Sequence, residues 1–409
     1  MLRLSTLLFL LTAAMASAVT LPLDRTPAYA LAHNPSLAAA RLRIDEARGR
    51  ALGAGRLANP EFEIDFSQNV RTPERSVGVA FVQRFPLTAR LRLEKAVSHA
   101  QLAAAEAEVR DAERRLVAET RAAAVKYLAL RAQRELRRQQ LANSRDQTEF
   151  VSRRVAAGEA SAVEVAQLDL DGQQLTVEML QLDAARAVLS GELRTLLGVA
   201  ADEAVEITGT LDIPGALPAK GASGADRADL AAARHHADAA RQTVGLAKAR
   251  KWEDIGVGLT AGGERTEDAP EGFSNDYFLG LKLSVPLPIW NRNEGGIAEA
   301  SAAATRASKE ADALAFNIRS AAEAARGEMA ALARLVAEMD DGLLPKAAQV
   351  EEQLRASYGT GQTPLTEVLR ARSRRLELSQ RRVDALRDYH LARVRYEAAL
   401  GRPASSRKP

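Results

Sequence analysis

The chain has 409 residues, enough for two or three domains with substantial cores. Aromatic residues make up only 4% of it and cysteine is absent, which excludes a disulfide framework and disfavours a conventional globular core rich in large rings. The 56 basic and 53 acidic side chains are mixed along the sequence and leave a formal charge of +3, so no nucleic-acid partner is expected.

Residues 1–18 have the pattern of an export signal. Arg3 is followed by the apolar run from Leu4 to Met15 and by the small residues Ala16-Ser17-Ala18, which form a cleavage site of the usual kind. The alternative is an ordinary hydrophobic helix at the terminus. The signal interpretation predicts a mature chain that begins near Val19, and no later segment is apolar enough for a spanning helix.

Two strands are predicted next, at residues 60–68 and 75–85. In the first, apolar Phe62, Ile64 and Phe66 alternate with acidic or polar residues, and the second repeats this alternation. A period of two places the apolar side chains on one face of each strand.

Long helices follow the strands. No proline occurs between Pro86 and Pro214, and leucines recur every seven residues from Leu168 to Leu196, as in a supercoiled helix. A continuous helix from Leu93 to Ala156 would be roughly 95 Å long at about 1.5 Å per residue. The segment "VAAGEAS" around Gly158 predicts a turn into a returning helix, and Ser161 with Glu164 predicts a capping box.

The second half repeats the first at a spacing close to two hundred residues. "SVGVAFVQRFPL" returns as "FLGLKLSVPLPI", and "AAGEASAVEV" returns as "GTGQTPLTEV", where Thr363 and Pro364 predict an N-cap followed by proline at the first helical position. The predicted segments are a first repeat at 19–204, a linker at 205–225, a second repeat at 226–401 with strands at 254–262 and 277–286, and a tail at 402–409.

The predicted fold class is mainly α with a small β part. Alternation of about ten residues per strand is typical of a membrane-spanning barrel, although two hairpins on a soluble core would alternate in the same way. The chain offers no other core for the strands to cover, which favours the barrel. The residues predicted to face lipid are Phe62, Ile64, Phe66, Val77, Val79, Phe81, Ile255, Val257, Leu259, Leu279, Leu281 and Leu283.

Four strands are too few to close a barrel, since the smallest spanning barrels use about eight. Unpaired edge groups in lipid would be costly, so identical copies are expected to complete the wall. Two copies would supply eight strands and three would supply twelve.

The sequence contains little that indicates a catalytic site or a metal site. The glycines of "GVGLTAGG" have dinucleotide-fold spacing, but strand alternation continues where that fold needs a helix. His235 and His236 are the only adjacent histidines, and neighbouring residues on a helix do not share a face. We therefore predict a solvated helix face there, with no catalytic residue, metal ligand or cofactor.

The duplicated plan, "GLKLSVPLPIWNRNEGGIAEA", "YGTGQTPLTEVLRA" and the closing "RYEAALG" resemble the outer-membrane efflux proteins, the TolC-like channels of Gram-negative bacteria, from about Leu21 to Gly401. The proline-rich strand exit followed by Asn-Arg-Asn is most similar to the branch that serves cobalt, zinc and cadmium pumps. The resemblance implies a homotrimer with long α-helical hairpins forming a periplasmic barrel and a 12-strand barrel in the outer membrane. It also implies two partners, a periplasmic adaptor (membrane fusion) protein and an inner-membrane pump of the resistance-nodulation-division type.

The resemblance also implies site residues at the inner end of the tunnel. Family members narrow there through acidic side chains, and Glu367 occupies the first such position, whereas Arg370 replaces an acid at the second. The equivalents in the first half are Glu164 and Gln167. A local alternative stays open, because a carboxylate in a first helical turn is favoured by the helix dipole. The hairpin tips expected to contact the adaptor and pump contain Gly158, Gly359, Gly361 and Thr363.

A different class of function also fits part of the pattern. A periplasmic coiled-coil adaptor, or a structural protein of an export system, would share the signal and the heptads. It would be expected to carry one hairpin and a globular β domain, whereas this chain repeats strand, strand, helix and helix twice.

Overall fold

The computed structural model describes residues 19–213, 226–268, 270 and 272–401. The predicted signal at 1–18, most of the predicted linker and the tail after residue 401 lie outside the described residues. The chain divides into two compact units. The first contains the described parts of 1–38, 112–227 and 317–409, and the second contains 39–111 and 228–316.

The two halves of the chain have the same order of elements. The first half has β1 (Val19–Pro22), a 3-10 turn (Leu23–Arg25), α1 (Thr26–His33), α2 (Pro35–Gly53), β2 (Glu61–Gln68), β3 (Arg75–Phe85), α3 (Arg90–Ala156) and α4 (Ala162–Leu197). The second has β4 (Val205–Thr208), α5 (Ala228–Ala249), β5 (Ile255–Asp268), β6 (Gly272–Ser284), α6 (Glu294–Glu338), a π-helical turn (Met339–Leu343), α7 (Leu344–Gly359) and α8 (Leu365–Ala399). The mainly helical fold class is confirmed.

A four-stranded antiparallel sheet lies in the second unit in the order β2-β3-β5-β6. β5 continues past the predicted end at residue 262, and β6 begins before residue 277 and ends at Ser284, before the two prolines. The hairpin is extended by pairing from Gly263↔Tyr277 to Asp268↔Gly272. Strand pairing depends on backbone hydrogen bonds, so it continues beyond the residues that alternate between apolar and polar.

A short parallel pair in the first unit was not predicted. β1 pairs with β4 from Val19↔Val205 to Pro22↔Thr208, so the segment assigned to the linker begins with a strand. Ile207 is fully buried in a core with Leu193, Leu197 and Tyr127. The pair therefore fixes the start of the first half to the start of the second.

The predicted cap of α4 is confirmed in part, and the predicted cap of α8 differs in the structure. Ser161 caps α4, since its Oγ accepts a hydrogen bond from the Val163 N–H at 3.2 Å. The Glu164 carboxylate, which the capping box would direct to the helix end, instead accepts a hydrogen bond from the Tyr358 hydroxyl. Pro364 is itself the N-cap of α8, with ψ of 152°, and does not occupy the first helical position. Its extended ψ places the first helical turn at Leu365.

The leucine seam of α4 drifts along the helix. Leu168 and Leu175 are buried as predicted, but Leu193 and Leu197 are the buried residues near the end, with Leu182, Leu189 and Leu196 only partly covered. A straight α-helix turns by about 20° per seven residues relative to a strict heptad, so another stripe comes to face the core.

Among the helices of the described residues, none combines the length and the apolar content needed to cross a bilayer.

Candidate functional site: the strand face and the helical hairpin ends

The apolar residues of the four strands form one continuous face. The ladder aligns Phe62, Phe81, Leu259 and Leu281 in one row. The next row contains Ile64, Val79, Ala261 and Leu279, and the row beyond it begins with Phe66 and Val77. These large side chains are exposed, Leu281 at 83% and Leu279 at 82%, whereas Ile255 is half-buried. We call this surface the outer apolar face.

The opposite face of the sheet is polar or small. Glu63 lies in register with Ala80, Thr260 and Gly280. Lys282 lies on the same face, and its Nζ is 3.4 Å from the Glu63 carboxylate, across the sheet. The sheet thus has an apolar face that no other described residues cover and a face suited to water, which is the reverse of a sheet packed on a soluble core.

The ends of the two long hairpins meet in the first unit. The Tyr358 hydroxyl of α7 donates to Glu164 of α4 at 2.6 Å, and the Arg154 guanidinium lies 5.1 Å from the centre of the Tyr358 ring. Val151, Leu168, Tyr358, Leu365 and Val368 form a buried cluster beneath them. Burial, together with the Glu164 hydrogen bond, raises the pKa of Tyr358 to about 12, so the phenol stays protonated as the donor.

The residues predicted for the constriction make different contacts within the protomer. The Arg370 Nη1 lies 2.7 Å from the Glu367 carboxylate on the same helix, and both residues are exposed or half-exposed. Gln167 is exposed, while Glu164 is engaged by Tyr358. The assignment of these residues to a constriction stays a prediction.

The hairpin-tip residues lie in the two tight turns. Gly158 and Gly361 have φ of 78° and 75°, a left-handed region that favours glycine. Gly359 is the last residue of α7, and Thr363 lies just before α8. Their contact with another protein stays a prediction.

The prediction from sequence missed a buried arginine in α8. Arg372 is only 8% exposed. Its Nη2 donates to the Gln140 carbonyl at 2.9 Å and its Nη1 donates to the Gln147 side chain at 3.2 Å; Asp171 lies 3.7 Å away. Arg372 therefore connects α8 with α3 and α4. Its sequence context, "RARSRRLELSQRR", resembles an exposed charged face and gave no signal of burial.

A second apolar seam on α4 was also missed, although its spacing is visible in the sequence. Val163, Leu170 and Val177 recur every seven residues, followed by Leu180, and these four are 54–67% exposed. Leu168 and Leu170 are separated by about 200° around the helix, so this outer seam lies opposite the buried leucines. Leu335, Leu343 and Val350 form a similar exposed series from α6 to α7.

The two adjacent histidines have different surroundings. The His236 Nε2 lies 2.7 Å from the Glu108 carboxylate on an exposed face, and His235 is half-buried. Within the described part of the chain there is no cluster of three or more histidine and carboxylate side chains able to hold a metal.

Solved structures of outer-membrane channels share this fold. The chain aligns with CusC at a TM-score of 0.78 and 18% identity, over 93% of this chain and 92% of that one. It aligns with the outer membrane protein VceC from Vibrio cholerae at 0.76 and 22%, over 94% and 97%. The open state of the Neisseria gonorrhoeae MtrE outer membrane channel gives 0.74 and 17%, over 96% and 93%. The fold is therefore that of outer-membrane channel proteins.

The chain belongs to the outer membrane efflux protein family, whose model matches residues 26–199 and 223–402. It is accordingly an outer-membrane protein, and this membership shows that it is a transport component and not an enzyme. The cobalt-zinc-cadmium resistance protein CzcC of Cupriavidus metallidurans is 26% identical over 256 residues, which are 61% of this chain and 56% of the relative. The match thus spans little more than half of that relative's length.

Proposed function

We propose that the protein is the passive, trimeric exit duct of a tripartite efflux system. In this proposal a resistance-nodulation-division pump and a periplasmic adaptor deliver substrates to the helical hairpins, which extend into the periplasm. Three copies supply twelve strands, four from each, and close a barrel in the outer membrane. Family membership favours this function over the coiled-coil adaptor considered from sequence.

The single observation that carries the proposal is the outer apolar face. One of its rows has a large apolar residue on each of the four strands, from Phe62 on one edge to Leu281 on the other. A face of this kind is stable against hydrocarbon, whereas in water it would expose a contiguous apolar patch, which soluble monomers rarely carry. The edges β2 and β6 can be satisfied in lipid only by pairing with other strands.

The exposed outer seam of α4 supports assembly through the helices as well. An apolar heptad that faces solvent in one copy is suited to pack against a helix of another copy. The series from Leu335 to Val350 on α6 and α7 is a suitable partner surface. When identical copies are joined through two different surfaces, they form a closed ring if the rotation from one copy to the next adds up to a full turn.

Heavy-metal cations are the proposed substrate class. The support is the similarity to a protein named for cobalt, zinc and cadmium resistance and the proline-rich strand exit ending in Asn-Arg-Asn. A passive duct needs no metal-binding site of its own, so the choice of substrate is assigned to the pump.

The test is reconstitution of the mature protein into planar bilayers, with its mass in detergent measured by sedimentation. We expect stepwise single-channel currents and a mass of three chains. Because the sequence has no cysteine, a two-cysteine variant, Leu170→Cys with Leu343→Cys, can report by disulfide cross-linking whether the two seams lie close together between copies. A detergent-independent monomer without conductance would overturn the proposal.

A further inference from the structure

The strand end nearest the helices carries a group of exposed apolar residues outside the outer apolar face. β6 ends at Ser284, and the following segment presents Leu287, Ile289 and Trp290, which are 64%, 57% and 94% exposed. Trp252, 39% exposed, precedes β5 at the same end of the sheet. These two are the only tryptophans in the chain.

The segment that presents Trp290 is held in a fixed conformation. The Asn293 side chain donates to the Ala247 carbonyl of α5 at 2.8 Å, and Asn293 adopts a positive φ of 57°. The Asn293 N–H in turn donates to the Asn291 side chain at 2.9 Å. These hydrogen bonds hold the turn that follows Trp290, and the Trp290 ring itself is exposed.

A groove of about 680 Å³ lies between this segment and α5. Its apolar walls include Leu246, Pro286, Leu287 and Ala300, and Arg250 and Lys251 lie at its polar side. Glu253 and Glu299 also line it. The groove thus combines apolar walls with charged groups of both signs, and its apolar length suits an acyl chain better than a free anion.

Two cations close in sequence to the tryptophans form no ion pair with the described residues. Within the described residues, neither Lys251 nor Arg292 has a carboxylate within ion-pair distance, whereas Arg90 nearby is engaged by Asp254 at 2.6 Å and Glu94 at 2.9 Å. Arg250 reaches Glu94 only at 3.9 Å. Tryptophan favours the membrane interface, because its apolar ring contacts hydrocarbon while its N–H is hydrogen-bonded to water or headgroups. Unpaired cations at the interface attract anionic headgroups.

The opposite end of the sheet has a different character. In the β2–β3 connection, the Asn69 and Thr72 side chains both donate to the Glu74 carboxylate, and the β5–β6 end carries Glu267 and Asp268. No tryptophan lies there. The two tryptophans therefore distinguish the helix-side end of the apolar band from the opposite end.

We propose that Trp290, Lys251 and Arg292 form a binding surface for anionic phospholipids at the helix-side edge of the strands. The inference rests on the outer-membrane channel proposed above and extends it to the lipid class of one leaflet. The headgroup phosphate lies at the cations and an acyl chain follows the groove beneath Leu287.

The experiment uses Trp290 as the reporter in full-length mature Trp252→Phe protein in phosphatidylcholine vesicles. Brominated phosphatidylglycerol and brominated phosphatidylcholine are added separately at equal mole fraction. Each cation near an anionic surface is worth about 1 kcal/mol, or about fivefold. We expect at least a twofold stronger quenching by the anionic lipid at low salt, reduced towards equality at high salt.

Lys251→Gln with Arg292→Gln should abolish the difference between the two lipids, while Lys309→Gln with Lys346→Gln, which removes two exposed cations elsewhere, should retain it. Equal quenching by both lipids would overturn the inference. The inference would also be overturned if neither lipid quenched Trp290, which is the result expected if a second copy covered this residue. Channel currents recorded from the same preparations separate this failure from failure of the proposed function.

Discussion

At the scale of single residues, Arg372 is a buried side chain that connects three helices. A guanidinium buried to this degree gains its stability from the hydrogen bonds it donates to Gln140 and Gln147. We expect Arg372→Ala to lower the free energy of unfolding by about 2 kcal/mol, because it leaves buried acceptors without a donor. Chemical unfolding in detergent would measure the loss.

The matched control is Arg374→Ala on the same helix. Arg374 makes an exposed ion pair with Glu377 at 2.9 Å, and such pairs contribute about 1 kcal/mol or less. An equal decrease in the free energy of unfolding of the two variants would show that the buried contacts of Arg372 contribute no more to stability than an exposed ion pair.

The Tyr358 phenol predicts a dependence of stability on alkaline pH. Its folded pKa is raised to about 12 from an ordinary value of 10, so the folded state holds its proton where the unfolded state has lost it. The contribution to stability is therefore complete below pH 10 and disappears as the pH rises towards 12. Melting temperatures of the native protein should fall more steeply over this window than those of Tyr358→Phe.

Tyr277→Phe removes a phenol that is 88% exposed on the strand face and serves as the control. Its melting curve should follow that of the native protein across the window. Parallel curves for the native protein and Tyr358→Phe would contradict the assigned role of Tyr358.

At the scale of elements, the turn between α7 and α8 provides an internal comparison of two glycines. Gly361 has φ of 75°, whereas Gly359 ends a helix without positive φ, and an added Cβ would meet nothing within 4 Å at either position. We expect Gly361→Ala to cost about 1 kcal/mol because non-glycine residues are strained in the left-handed region. Gly359→Ala should cost nothing, and thermal unfolding of both variants would show whether backbone conformation alone decides the difference.

The strands predict an asymmetry between the two faces of the sheet. A lysine in place of Leu281 would face hydrocarbon and should destabilise the membrane-inserted protein by about 2–4 kcal/mol if the position lies near the midplane. Asp65→Lys places the same side chain on the polar face and should have a small effect. Urea unfolding of vesicle-inserted protein measures both, and equal effects would show that the outer apolar face does not contact lipid.

At the scale of the whole molecule, Glu367 and Arg370 test whether the predicted constriction limits flow. Glu367→Ala with Arg370→Ala should raise single-channel conductance, because it removes two long charged side chains from the narrow end of the proposed tunnel. Arg374→Ala with Glu377→Ala removes a neighbouring pair of the same spacing on α8 and should leave conductance unchanged. Unaltered conductance in the first variant would remove both residues from the constriction.

Family and fold were predictable because their signals are local and repeated. Alternation with a period of two identified the faces of all four strands, since successive side chains of a strand point to opposite sides. The absence of proline predicted the long helix present as Arg90–Ala156, and glycine in "VAAGEAS" and "YGTGQTP" marked the turns where the left-handed backbone occurs. Even the missed outer seam of α4 is a local pattern, which was overlooked because the leucine seam is stronger.

By itself, the sequence determined which residues form helices, strands and turns and which strand face is apolar, because these depend on neighbours a few positions apart. Only the tertiary structure decided that β1 pairs with β4, that Tyr358 donates to Glu164 across 194 positions and that Arg372 is buried. Such partners are chosen by the packing of long helices against one another. The sequence pattern of a charged run is the same whether one of its arginines faces water or the carbonyl groups of a neighbouring helix.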